Sequence, residues 1–181
     1  PPHLADDPHF QRDGAQLDCR KSWSAAVILM SELAFPPAPN VAGTSLDGTK
    51  IFTISLEENA ALCRSTGVEP ASDGSAHPIY YYIATQVAMG KTVAGVCETC
   101  EFDVEEGPMM GSSGVKFTEQ LLVGESYKVT GEILSLVRKQ SRKLGLMDVL
   151  TYRLRLHRQA DGTCILETDN VWVLPRKELA A

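Results

Sequence analysis

Three groupings in this chain have chemical potential: Cys97-x-x-Cys100, four cations within six residues (Arg138, Lys139, Arg142 and Lys143), and the triplet Tyr80-Tyr81-Tyr82. A Cys-x-x-Cys pair suits zinc or thiol exchange, but no second pair or nearby histidine completes four ligands, so no metal is expected. The pair falls in a stretch that reads as a strand, where residues three apart point to opposite faces, and two packed cysteines are the simpler reading. The four cations stand out in an acidic protein and suit phosphate groups or an acidic partner domain; a solvated hairpin loop also accounts for them. Among the tyrosines, Tyr81 is the candidate to offer a hydroxyl to a binding pocket, while packing against a sheet explains the other two. Gly107-Pro108-Met109-Met110-Gly111 reads as a flexible apolar loop bordering a tunnel or a subunit contact.

The elements that must position these residues belong to one domain, which suits 181 residues with no long linker after residue 50. A net charge of −6 gives no general attraction to phosphate backbones, so nucleic acid is not expected as a partner. Five scattered cysteines (Cys19, Cys63, Cys97, Cys100, Cys164) do not form a disulfide framework and point to a reducing cytoplasm. No stretch approaches the roughly eighteen apolar residues of a spanning helix, and no membrane is expected as a partner. Arg20-Lys21 followed by Trp23 to Met30 mimics a signal peptide, but the polar residues before it argue against that reading.

Residues 1–48, rich in proline, read as an extended and poorly ordered arm; Met30-Ser31-Glu32 would serve as a start, making Pro1 to Leu29 an upstream extension or an artefact. The domain proper is expected over 49–176, with a tail at 177–181. Ser55-Leu56-Glu57-Glu58 is a capping box that opens a helix with Leu56, Ala60 and Cys63 on its apolar stripe and Gly67 closing it. Pro78 stands at the first position of a second helix, where Ile79, Ile83 and Val87 repeat every four residues and neighbouring faces are also apolar. That helix, running to Gly90, is expected to be buried. Five strands should follow, over 93–102, 115–121, 127–137, 147–157 and 164–174. The fourth alternates Leu150, Tyr152, Leu154 and Leu156 against Thr151, Arg153, Arg155 and His157, and Asp161-Gly162 makes the last hairpin. Arg138 to Lys143 is expected to be the loop of the preceding hairpin.

A long central helix wrapped by a curved antiparallel sheet is an α+β architecture, the hotdog fold. The first helix with Ser65-Thr66-Gly67 closing it, the His77-Pro78 step, and Lys116-Phe117 through Leu122-Val123-Gly124-Glu125 resemble the MaoC-like (R)-specific enoyl-CoA hydratase and dehydratase family. The likeness spans residues 51–176 and is strongest to the N-terminal half of double-hotdog dehydratases.

The resemblance implies addition or removal of water at 2-enoyl or 3-hydroxyacyl thioesters. Coenzyme A or a carrier-protein phosphopantetheine would be part of the substrate, and no separate cofactor is needed. Catalytic members use an aspartate and a histidine five positions later, because hydration needs a base for the water and an acid for the α-carbon. Here Asp73 and His77 are four apart in a shortened segment. They approximate that dyad, or serve as loop and cap ligands. Tyr81, Arg138, Lys139, Arg142 and Lys143 are the matching substrate-binding candidates. The family's pairing of hotdogs implies a homodimer, or a heteromer with a second hotdog subunit that carries the Asp/His dyad. The alternatives are a non-catalytic acyl-thioester-binding or complex-organising protein and, less favoured because residues 77–90 contain no carboxylate, a thioesterase.

Overall fold

Ser55 caps the first helix as its spacing predicts: its Oγ accepts from the Glu58 amide at 3.0 Å and donates to the Glu58 carboxylate. Helix α1 (Leu56–Ser65) follows. Its buried face differs from the expected stripe, however, since Leu56 is 70% exposed whereas Asn59 and Cys63 are buried. A computed structural model describes residues 35–143 and 145–179 of the chain, and the expectations for Pro1 to Leu29 and for Cys19 lie outside those residues.

Helix α2 (Tyr80–Ala88) begins two residues after Pro78 and is shorter than expected. Tyr80, Ala84, Thr85 and Ala88 are buried, but Val87 is 55% exposed, so one side of this apolar helix is uncovered. Residues 93–102, expected as a strand, instead form helix α3 (Val93–Thr99), whose first turn is capped by the Thr92 hydroxyl. A hydroxyl at the N-cap followed by small residues outweighs the β-branched character of Val93 and Val96.

The sheet is antiparallel, with β1 (Phe52–Thr53), β2 (Met109–Phe117), β3 (Ser126–Ser141), β4 (Gly145–Arg158) and β5 (Cys164–Pro175) in the order β1-β3-β4-β5-β2. The second strand starts earlier than predicted, so the loop expected at Gly107 to Gly111 is largely strand, with a register shift between Met110 and Ser112. Similarly, Arg138 to Ser141 extend β3, and Arg142 and Lys143 alone of the basic loop lie in the turn. On β4 the alternation holds: Leu150, Tyr152, Leu154 and Leu156 are fully buried. On the opposite face Arg153 pairs with Asp169 at 2.6 Å and Arg155 with Glu167 at 2.8 Å, cross-strand contacts typical of a solvated face.

The packed body begins at Pro37, ahead of the boundary expected at 49. Val41 and Leu46 are buried in the core. The amides of Gly43, Leu46 and Gly48 donate to Ile133, Gly131 and Val129 carbonyls, so this ribbon covers the outer edge of β3. It then crosses the end of α2 at contact distance, where a Cβ on Gly48 would lie 1.7 Å from the Ala88 carbonyl oxygen and one on Gly90 2.2 Å from that of Asp47. Only glycine fits on either side of this crossing. Gly48→Ala is therefore expected to lower stability by about 2–3 kcal/mol in urea unfolding, whereas Gly114→Ala, with nothing within 4 Å of its new Cβ, leaves the midpoint unchanged or raised.

Candidate functional site

A groove of about 420 Å³ opens at the N-terminal end of α2, between Ser75, Ala76 and Pro78 on one side and Phe117, Gln120 and Leu121 on the other. Its near wall is the segment that carries Asp73 and His77. That segment is stitched to the chain beyond β2: the Ala76 amide donates to Leu121 and the Val123 amide to Gly74, while Ser75 Oγ donates to Gln120 Oε1 at 2.9 Å.

Within it, Asp73 Oδ1 accepts from the Ser75 amide at 2.9 Å, a local Asx turn. This bond holds its carboxyl below the usual range. His77 Nδ1 accepts from the Ile79 amide at 3.2 Å, capping the turn that leads into α2, and its Nε2 lies 3.5 Å from Thr66 Oγ1. The His77 amide donates to Oδ1 of the buried Asn59 at 2.8 Å. Each of the two expected dyad members thus has its own local partners.

Tyr81 leans the other way. Its ring meets Phe117 edge-on with centroids 6.4 Å apart, and its hydroxyl donates to Ser113 Oγ at 3.2 Å. Ser113 in turn donates to Asn170 Oδ1 at 2.7 Å. Asn170 is fully buried, and its Nδ2 has no hydrogen-bond partner. Beside it in the β4–β5 register, Tyr152 donates to Gln86 Oε1 on α2 at 3.3 Å. Burial raises the Tyr152 hydroxyl well above the ordinary range, so it stays a donor.

The four cations are not gathered. Arg138 holds Asp148 through two bonds of 2.8 and 3.0 Å, while Lys139, Arg142 and Lys143 are exposed at the far end of the β3–β4 hairpin. Asp148 is fully buried and also accepts from Arg176 Nε at 2.7 Å. Arg176 then donates to the Glu101 and Cys100 carbonyls at 2.5 and 2.6 Å, tying the end of β5 to the end of α3. Cys97 and Cys100 lie on that helix and its cap, both buried, and burial helped by the neighbouring Cys97 pushes the Cys100 thiol up to about 12. A thiol so protected from ionising is a poor nucleophile. Among the described residues no cluster of His, Cys, Asp or Glu could hold a metal, and no helix is long and apolar enough to cross a membrane.

No protein-family model matches the chain, and no curated protein matches its sequence. Solved structures do. The C-terminally truncated HadBC (3R-hydroxyacyl-ACP dehydratase) complex from Mycobacterium tuberculosis aligns over 75% of this chain and 98% of that one, with a TM-score of 0.57 and 13% identity. This chain has the hotdog fold. A MaoC-like dehydratase from Rhodospirillum rubrum aligns over 75% and 93% with a TM-score of 0.53 and 12% identity. A monoamine oxidase regulatory protein from Archaeoglobus fulgius aligns over 74% and 89% with a TM-score of 0.55 and 14% identity.

Sequence reasoning missed Asn59, Asn170 and Asp148. A signal for the last two was present, since Asn170 sits between Thr168 and Trp172, and Asp148 before Leu150, at core-facing positions of alternating strands. A polar residue at such a position needs a partner. For Asp148, burial alone would raise the pKa, but the bonds from Arg138 and Arg176 outweigh it and hold it below the ordinary carboxylate range. Its stabilisation is therefore complete above the unfolded-state value of about 3.9 and is lost as pH falls through the lower folded value. Arg176→Ala should cost about 3–5 kcal/mol at neutral pH, and Asp148→Asn should flatten the acid limb of a Tm-against-pH curve.

Proposed function

We propose that this chain is a MaoC-like hotdog subunit of a hydratase or dehydratase acting on 2-enoyl or 3-hydroxyacyl thioesters of coenzyme A or a carrier protein. In this reading it shapes the acyl pocket within a hotdog dimer or heteromer, and a partner hotdog supplies the Asp/His dyad. The observation that carries the reading is the local commitment of Asp73 and His77, one to an Asx turn and the other to the cap before α2. The structural likeness to a dehydratase complex of named heteromeric composition supports the same arrangement.

The open edge of β2 fits this reading, because Met109, Met110, Val115 and Phe117 are all more than a third exposed along a strand that, among the described residues, pairs only with β5. An uncovered edge of that kind invites a second sheet. Lys139, Arg142 and Lys143, exposed at the hairpin end, would meet the phosphates of coenzyme A or an acidic carrier surface. Tyr81 would line the acyl pocket with its ring against Phe117.

Loss of the 2-enoyl thioester absorbance tests this. The purified chain is expected to give no hydration alone and to gain it when co-purified with a dyad-bearing hotdog subunit, His77→Ala leaving the reconstituted rate within about twofold. Hydration by the chain alone that His77→Ala abolishes would overturn the proposal and make Asp73 and His77 the catalytic pair.

A further inference from the structure

The inward positions of β5 run Leu166, Thr168, Asn170, Trp172 and Leu174, every one buried. Four are what a core wants or are already satisfied, Thr168 donating to the Gly114 carbonyl at 2.8 Å. Asn170 is the exception. The register shift between Met110 and Ser112 sets Ser113 rather than Ser112 opposite Asn170, so the bulge on β2 is what delivers a hydroxyl to it. The hydrogen bonds then run one way, from Tyr81 to Ser113 to the Asn170 carbonyl oxygen, leaving the amide NH₂ with two donors and no acceptor. Exchanging the amide oxygen and nitrogen would leave an unpaired oxygen instead. On the other side of Tyr152, Gln86 presents a second buried amide nitrogen without a partner.

Asn170 and Ser113 lie on β5 and β2, beyond the strands on which α2 chiefly packs, whereas Gln86 belongs to the helix itself. The helix packs chiefly on β1, β3 and β4, and the inward side chains of β2 that flank Ser113, namely Met110, Val115 and Phe117, are exposed. Ser113 and Tyr81 are half-buried between them, so the polar chain runs from an apolar surface strip down to Asn170. A pocket built for a plain alkyl chain has no use for unpaired amides, whose burial costs free energy unless an acceptor arrives.

We infer that the strip between α2 and β2 selects acyl chains carrying an oxygen function, a keto or hydroxyl group remote from the thioester, which the Tyr81–Ser113–Asn170 chain recognises. This rests on the acyl-thioester reading above and adds the substrate class to it. The hydrocarbon lies along Met110, Val115 and Phe117, and the ligand oxygen takes the place of the missing acceptor.

Trp172, whose ring is 5.3 Å from that of Tyr152 and two residues from Asn170, reports on the site. In a Trp23→Phe background its fluorescence is titrated with decanoyl-CoA and with decanoyl-CoA carrying a keto or hydroxyl group walked along the chain. At one position of the oxygen, affinity is expected to exceed that for decanoyl-CoA by about tenfold. Ser113→Ala, and the milder Tyr81→Phe, should reduce that preference to about twofold or less, with unfolding curves confirming that both variants fold. Equal affinity for all the thioesters, or a preference that survives both variants, would overturn this inference and leave the amides to internal water. Failure of every thioester to bind would overturn the acyl-thioester reading and this inference with it.

Discussion

A nine-residue helix is about 13 Å long, whereas a strand of sixteen residues reaches roughly 50 Å, so α2 cannot cover the concave face of the sheet it packs against. The rest of the structure follows from how this mismatch is met. On the β3 side the ribbon from Val41 to Gly48 closes the edge and locks the helix end through the glycine crossing. On the β2 side Tyr81 reaches Phe117 and Ser113, but Met110, Val115 and Phe117 remain more than a third exposed. The asymmetry converts an ordinary packing problem into an open apolar strip beside one helix.

Two anchors keep the strip's neighbours in place. Asn59 on α1 holds the His77 amide and the strand-like pairing at Leu121 to Val123 holds the loop before it, so the groove at the start of α2 has fixed walls. At the other end, Asp148 between Arg138 and Arg176 binds the β3–β4 hairpin to the α3 terminus. A buried carboxylate with two guanidinium partners is costly to break and offers no chemistry of its own. Among the described residues, the buried side-chain groups left without a partner are instead the Asn170 amide on β5 and the Gln86 amide on α2.

Much of this was legible in the chain and some was not. The capping box at Ser55, the alternation on β4 and the Asp161-Gly162 hairpin are local signals, and local hydrogen bonds enforce them. Val93 to Phe102 misled because an apolar run of that length reads equally as strand or helix, and only the Thr92 cap distinguishes them. The basic run misled for a different reason: Arg138 reads as loop charge until its partner Asp148, ten residues on, appears across the hairpin. For the site, Tyr81 stands out in the sequence as a candidate hydroxyl but its partners do not, since Ser113 depends on a bulge and Asn170 on a register, both set by tertiary pairing. Asp73 and His77 had the right types in the right segment, and the short loop binds each of them locally.

Amide hydrogen exchange of the purified chain, with and without a saturated acyl-CoA, would test the central claim most directly, that the uncovered strip beside α2 receives the acyl group. Added protection is predicted over Met109–Phe117 and Tyr80–Ala88, with little change on the arginine-rich convex face of β4. Protection confined to that convex face, or none at saturating ligand, would contradict the account.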